Sequence, residues 1–302
     1  MGRLIAFIKL GRPQFLLGGF VLYGLGAALA VAGGAPLHRG RYLLGQLVVT
    51  ATQLMTHYAN DYFDLEADRA NRTPTRWSGG SRILPDGALP PTVALGAARL
   101  LLLLAAAGAV LLGRRAGTTP LALAAAMISL AWSYSAPPLR LCARGLGELT
   151  TALVVTGLVP VFGYDLQAGE VAAPIFFAAA LPCALQFAML LAIEFPDAAG
   201  DAATGKRTLV VRMGALPAAR LYALVTLLAF GALPLWVLAG LPARVAIAPI
   251  LLAPVAVWQA SRVARGAYRE RARWGSVAFW AVALLIASAG LELGAAATIA
   301  GG

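Results

Sequence analysis

Asn60-Asp61-Tyr62-Phe63-Asp64-Leu65-Glu66-Ala67-Asp68 places four acidic side chains and an amide at the end of a long apolar run. Carboxylates are costly in such a setting unless cations meet them, so an ionisable cluster there marks a functional site. On a helix, positions i, i+4 and i+8 share one face, so Asn60, Asp64 and Asp68 should stack, with Asp61 at the flank. A second cluster, Glu194-Phe195-Pro196-Asp197-Ala198-Ala199-Gly200-Asp201, repeats the spacing of four between Asp197 and Asp201. Each pair is trailed by basic residues and a threonine, Arg72-Thr73 in one case and Lys206-Arg207-Thr208 in the other. The echo suggests two related helical halves around one cavity.

Hard divalent cations such as Mg2+ take carboxylate and carbonyl oxygens while keeping waters and substrate phosphates in their shell. Two acidic walls flanked by Lys206, Arg207 and Arg72 therefore fit a diphosphate held through Mg2+ better than a lone cation. Metal-bridged oxygens make diphosphate a good leaving group. An allylic carbon released this way is a carbocation that water would quench, and a cavity of apolar helices excludes water. The expected substrate is a long isoprenoid diphosphate whose tail partitions into lipid. A cation-coupled transporter would also carry intramembrane carboxylates, but such sites usually lie near the midplane on broken helices. Here both clusters sit at helix ends on one face. His57, three residues before Asn60, reads as a hydrogen-bonded buried histidine.

The elements that must position these residues are membrane helices. Of 302 residues 60% are hydrophobic and only 12% charged, against an apolar share of about 45 to 50% in soluble chains. The net charge of +11 forms no single stripe or arm of the kind that binds nucleic acid, so no nucleic-acid partner is expected. The basic residues lie between apolar runs, as topology signals and contacts to membrane lipid. Cys142 and Cys183 offer neither a disulfide framework nor a CxxC site. A spanning helix needs roughly 20 apolar residues, and nine stretches qualify: Gln14 to Gly33, Arg41 to Phe63, Thr92 to Gly113, Thr118 to Ala136, Leu146 to Gln167, Val171 to Phe195, Pro217 to Gly240, Ala243 to Ser261 and Gly275 to Ala300. The fold class expected is all-α and polytopic, one domain over 1–302. Most of the Lys and Arg residues fall at the N-terminus and in the even-numbered connections, which the positive-inside rule assigns to the cytoplasm. Both acidic clusters then lie on the cytoplasmic side, and the polar connection from Leu65 to Pro91 reads as a cap over the first.

Asn60-Asp61-x-x-Asp64-x-x-x-Asp68 resembles the first Asp-rich motif of the UbiA superfamily of intramembrane prenyltransferases, and Asp197-x-x-x-Asp201 with Lys206-Arg207 resembles its second. Tyr134-Ser135-Ala136-Pro137-Pro138-Leu139-Arg140, with Gly147-Glu148 after it, is similar to the segment that follows the fourth helix in that family. The resemblance implies nine helices enclosing a central cavity that opens laterally to lipid, capped by two cytoplasmic loops. It implies that Asn60, Asp61, Asp64, Asp68, Asp197 and Asp201 hold Mg2+ and, through it, a polyprenyl diphosphate. Arg72, Lys206 and Arg207 would contact phosphate oxygens, Tyr134 would face the reacting carbons, and Arg140 would sit at the cap.

Within the superfamily, Gly79-Gly80-Ser81-Arg82 and the run from Glu194 to Leu209 look most like the 1,4-dihydroxy-2-naphthoate polyprenyltransferases of menaquinone synthesis, in the inner membrane of a bacterial-type cell. The implied acceptor is then an aromatic ring. Transfer to 4-hydroxybenzoate or another acceptor, or cyclisation of the prenyl substrate, remains open within the same superfamily.

Overall fold

In lipid every backbone N–H and C=O must be satisfied internally, which leaves helices as the solution for a chain this apolar. The computed structural model describes residues 2–301 and contains helices and turns, with no strand among the described residues. In chain order the helices are α1 (Arg3–Leu10), α2 (Leu16–Ala32), α3 (Arg39–Phe63), α4 (Leu65–Ala70), α5 (Pro91–Ala116), α6 (Thr118–Ser135), α7 (Gly147–Ala168), α8 (Ala173–Glu194), α9 (Ala198–Ala203), α10 (Leu209–Met213), α11 (Ala215–Gly231), α12 (Leu233–Leu238), α13 (Ala243–Ala264) and α14 (Trp274–Ala300).

Six helical stretches are long and apolar enough to cross a membrane: Arg3–Ala32, Pro91–Ala116, Gly147–Ala168, Ala173–Glu194, Ala243–Ala264 and Arg271–Ala300. The other three expected spans fall short for separate reasons. α3 is 25 residues long but carries many polar side chains. α6 has polar residues at both ends. α11 is 17 residues long and gives way to the short α12. The protein is an integral membrane protein, and its outward leucines agree: Leu103 of α5 is 66% exposed, Leu228 of α11 62% and Leu251 of α13 76%. An apolar surface of this extent belongs against lipid.

Two halves form the core. Leu22, Val49, Leu112, Met127 and Phe162 pack α2, α3, α5, α6 and α7 together. Leu185, Leu191, Tyr222, Val263 and Leu285 do the same for α8, α11, α13 and α14. α14 also packs along α2, so the last helix closes the ring on the first. Helices in lipid approach closely where side chains are small, and α2 meets α7 this way. A Cβ on Gly26 would lie 1.9 Å from the Pro160 carbonyl oxygen, and one on Gly163 would lie 2.4 Å from that of Tyr23. Just before Pro160, α7 widens into a π-helical segment, Ala152–Leu158, which accommodates a residue that has no N–H to give. Val154 and Val155 of that segment face the interior cavity.

The connection after α4 folds back onto the bundle. Ile83, Leu84 and Leu89 are buried there against Leu10 of α1, Tyr58 of α3 and Ala98 of α5.

Candidate active site

The first acidic wall is built by a break in a helix. α3 ends at Phe63 because Asp64 leaves helical geometry, yet the ladder continues through it. The Asp64 N–H donates to the Asn60 carbonyl and the Asp68 N–H to that of Asp64, both at 2.9 Å. The register expected from the sequence is therefore kept across the junction. Asn60 Nδ2 donates to Asp64 Oδ2 at 2.9 Å and to Ser135 Oγ at 3.1 Å, fixing the amide between α3 and the end of α6. Asp68 is buried beneath the loop at Gly80. That glycine has φ +72°, and a Cβ on it would lie 2.0 Å from Asp68 Oδ2, so the close approach requires glycine.

Asp61 is turned away from this group. It pairs with Arg12, at the hinge between α1 and α2, and accepts from the hydroxyl and backbone N–H of Ser81. Gly11, at the same hinge, presents its carbonyl to His57 Nδ1 at 2.7 Å, so His57 is the hydrogen-bonded buried histidine expected from sequence.

The second wall follows α8. Asp197 precedes α9 and accepts from Asn71 Nδ2 at 2.7 Å and from the Gly79 N–H at 3.0 Å. Thr73 Oγ1 donates to the Pro196 carbonyl at 2.9 Å. The connection after the first acidic pair is thus bonded directly to the second. Asp201, on α9, faces Lys206, whose Nζ lies 3.4 Å from Asp201 Oδ1 and 2.8 Å from Asp64 Oδ2. One ammonium therefore bridges the two walls.

Among the described residues Lys206 is the one ammonium ion-paired in this group, with Asp64 and Asp201, and burial dominates the titration of Asp68, Asp197 and Asp201. Burial pushes the Asp68 carboxyl up to about 7, with Arg12 pulling the other way. Burial likewise raises Asp201 to about 6 against the pull of Lys206. Asp197 is raised by burial and partly relieved by its bond from Gly79. Burial alone would lower the Lys206 ammonium, but Asp64 and Asp201 outweigh it and hold the group well above its ordinary value. Asp68 Oδ2 and Asp201 Oδ2 are buried with no hydrogen-bond partner. Orphaned acceptors with excess negative charge are what a hard cation satisfies. Among the described residues no group of three or more His, Cys, Asp or Glu side chains is placed to hold a metal ion. Mg2+ keeps water and substrate phosphates in its shell, so it needs no all-protein cage. The residues present fit such an ion.

An interior cavity of about 210 Å³ opens beside Asn60. Leu22, Met127, Val154, Met189 and Ile286 line its depth, while Arg12, His57, Asn60 and Tyr134 line its polar end. Tyr134 therefore sits where the acidic site passes into an apolar chamber.

The structure brings Asn60, Asp64, Asp68, Asp197, Asp201, Lys206 and Tyr134 to one region. It does not bring the other cations in. The side chains of Arg72, Arg140 and Arg207 are exposed and make no ion pair with the acidic residues among those described. Arg72 and Arg207 join the assembly by backbone alone: the Arg72 carbonyl accepts from Arg271 Nη2 at 3.3 Å, and the Arg207 N–H donates to the Ala143 carbonyl at 3.1 Å. Sequence reasoning missed Arg12, Asn71 and Ser81. An arginine before an apolar run reads as a topology signal, and only the fold shows Arg12 turning inward, with φ +48°.

The sequence profile of the UbiA prenyltransferase family matches residues 20–295. The digeranylgeranylglyceryl phosphate synthase of Pyrococcus abyssi (strain GE5 / Orsay) is 30% identical over 262 residues, 85% of each chain. Among solved structures, one of a digeranylgeranylglyceryl phosphate synthase superposes with a TM-score of 0.68 over 99% of this chain and 100% of the other, at 17% identity. A UbiA homologue from Archaeoglobus fulgidus bound to GPP and Mg2+ gives 0.65 over 96% and 99%, at 16% identity. These structural likenesses speak for the fold. The Pyrococcus relative is a glyceryl phosphate enzyme, not one of the naphthoate group whose loop motifs this chain resembles.

Proposed function

The chain belongs to the UbiA prenyltransferase family, and from that footing we propose that it moves a polyprenyl group from its diphosphate to an aromatic quinone precursor of the 1,4-dihydroxy-2-naphthoate type. The observation that carries the reading is Lys206, held between Asp64 and Asp201 at 2.8 and 3.4 Å beside an apolar cavity. A diphosphate head with its metal belongs at the polar end of that cavity and a prenyl tail in its depth. In this reading α3, α6 and α11 with α12 also cross the membrane, giving nine spans in one domain, and the acidic face is cytoplasmic.

Asp64, Asp68, Asp197 and Asp201, with Asn60, are the residues that would hold Mg2+. Bound there, the ion supplies charge neutralisation at the diphosphate oxygens as the allylic carbon–oxygen bond breaks. Lys206 donates to the same oxygens and gives up its bridge between the walls to do so. Asp61 positions Arg12 and Ser81 instead of binding metal. Tyr134 lines the cavity beside the reacting carbon, where an aromatic face favours developing positive charge. The apolar walls keep water from the cation. The electron-rich acceptor ring then attacks the allylic carbon. With a naphthoate acceptor the ring carboxylate leaves as CO2, and its electron pair restores aromaticity, so no protein base is required. Arg72, Arg140 and Arg207 are exposed and are assigned no contact to phosphate in this reading.

The cavity is lined by one cation, Arg12, whose Nε is buried without a hydrogen-bond partner. One guanidinium N–H suits a ring carboxylate better than a doubly charged phosphate. A prenylglyceryl phosphate acceptor is the second reading, favoured by the Pyrococcus relative. Membranes from an expressing host, given one labelled prenyl diphosphate, test both. The arms are 1,4-dihydroxy-2-naphthoate, 4-hydroxybenzoate, geranylgeranylglyceryl phosphate and no acceptor. Mg2+-dependent product in the naphthoate arm is expected. Product in the glyceryl phosphate arm alone replaces the first reading with the second, and product without acceptor replaces both with cyclisation.

A further inference from the structure

We propose that the cleft at the end of α3 farthest from the acidic site binds the phosphate of an anionic membrane phospholipid. The cleft, about 510 Å³, lies between the start of α3 and the end of α5. Arg39, Arg41 and Arg115 face it, beside His38, and Leu44 and Leu112 form its apolar wall. None of the three arginines makes an ion pair among the described residues. The acidic group that acts on Arg41 is Asp165 of α7, which lies beyond ion-pair distance. Three arginines line one cleft with no carboxylate among its lining residues, and an oxyanion placed there can take charge-assisted hydrogen bonds from them. The start of α3 adds to this, because its first-turn N–H groups have no side-chain cap and carry the positive end of the helix dipole.

This site is separate from the prenyl chemistry. The 25 residues of α3 place the two ends of the helix about 37 Å apart at 1.5 Å per residue, so the cleft opens at the opposite membrane face. By the distribution of charge along the chain that is the non-cytoplasmic face, where clustered arginines are disfavoured as topology signals and call for another reason.

The surroundings select a lipid over a free anion. Leu43 and Leu47 continue down the face of α3 that begins at Arg39, one and two turns on, and are 63% and 66% exposed. A headgroup among the arginines leaves its acyl chain lying along those leucines, an arrangement that inorganic phosphate cannot use.

The test is lipid retention by the purified protein in native mass spectrometry, followed by titration with phosphatidylglycerol in mild detergent. Wild type is expected to retain and rebind phosphatidylglycerol, with millimolar inorganic phosphate failing to displace it. Removing one arginine should weaken binding about fivefold, at about 1 kcal/mol for each basic residue at a lipid surface. R39Q/R41Q/R115Q should therefore lose on the order of a hundredfold. R244Q, an exposed arginine at the start of α13 outside the cleft, should bind as wild type does. Prenyl transfer by each variant reports folding, and R39E, a single change on the exposed rim, carries the test if the triple variant does not fold. Wild-type affinity in R39Q/R41Q/R115Q or R39E, or displacement of the lipid by inorganic phosphate, overturns the proposal.

Discussion

Lys206 Nζ lies 2.8 Å from Asp64 Oδ2, so a residue that trails the second acidic segment is ion-paired with the residue that ends α3. The same nitrogen is 3.4 Å from Asp201 Oδ1. Neither wall is electrically complete alone: each presents carboxylates in excess, and the shared ammonium keeps them together until a substrate brings its own charges.

Lys206→Ala should lower kcat/KM for the prenyl diphosphate by roughly a hundredfold, about 2.7 kcal/mol of transition-state stabilisation lost. It should also destabilise the fold, because removing one partner of a buried pair strands the other. Lys206→Arg restores the charge and separates the effects, recovering thermal stability in detergent before it recovers activity. Arg72→Ala, at an exposed side chain, should change the KM for the prenyl diphosphate by no more than about twofold. A larger rise for Arg72→Ala than for Lys206→Ala would reverse the two roles.

Chelation with EDTA should abolish prenyl transfer, and Mg2+ should restore it. Asp64→Ala and Asp197→Ala should remain inactive at any Mg2+ concentration while staying folded. Asp201→Asn leaves a neutral oxygen in place of one carboxylate and should raise the Mg2+ needed for half-maximal rate by about tenfold. Near-normal Mg2+-dependent rates in either alanine variant would remove the metal from these segments.

Much of this site was legible because helix periodicity survives a helix break. Asn60, Asp64 and Asp68 were expected on one face, and the bonds from Asp64 to Asn60 and from Asp68 to Asp64 keep them there although α3 ends at Phe63. The pairing of the two segments was legible from the repeated spacing of four. What sequence could not show is which member of a cluster points elsewhere. Asp61 differs from Asp64 by three positions and faces Arg12 and Ser81, residues brought in by a hinge and by a loop. The exposed positions of Arg72, Arg140 and Arg207 were equally hidden, since a basic loop residue beside an acidic motif has the same sequence signature whether its side chain folds in or out. The spans of α3 and α6 are ambiguous for a related reason. The polar residues that build the site, such as Gln53, Asn60 and Tyr134, dilute the apolar signal that marks a membrane helix.

Gly80→Ala should impair activity more than its size suggests. The residue holds φ +72°, and its added methyl would meet Asp68 Oδ2 at 2.0 Å. The backbone strain alone costs about 1 to 3 kcal/mol, and relief requires moving either the loop or Asp68. Loss of at least tenfold in rate with a raised Mg2+ requirement is expected, whereas Gly87→Ala, also at positive φ but with open space around it, should cost stability only. Equal rates for the two variants would detach the loop from the metal site.

Arg12 separates fold from acceptor specificity. Its guanidinium neutralises Asp61, which is 1% exposed, so Arg12→Gln leaves a buried carboxylate with Ser81 as its remaining partner and should destabilise the protein by about 3 to 5 kcal/mol. Arg12→Lys keeps the charge and should recover most of that stability. What lysine cannot supply is a second donor such as Nε, which stands buried without a partner in a residue that lines the cavity. If that donor meets the carboxylate of the acceptor ring, Arg12→Lys raises the acceptor KM by about tenfold, the scale of one charge-assisted hydrogen bond, and leaves the KM for the prenyl diphosphate unchanged. Steady-state kinetics with each substrate varied in turn makes the distinction. A rise confined to the prenyl diphosphate would move Arg12 from the acceptor to the leaving group, and with it the argument for a carboxylate-bearing ring.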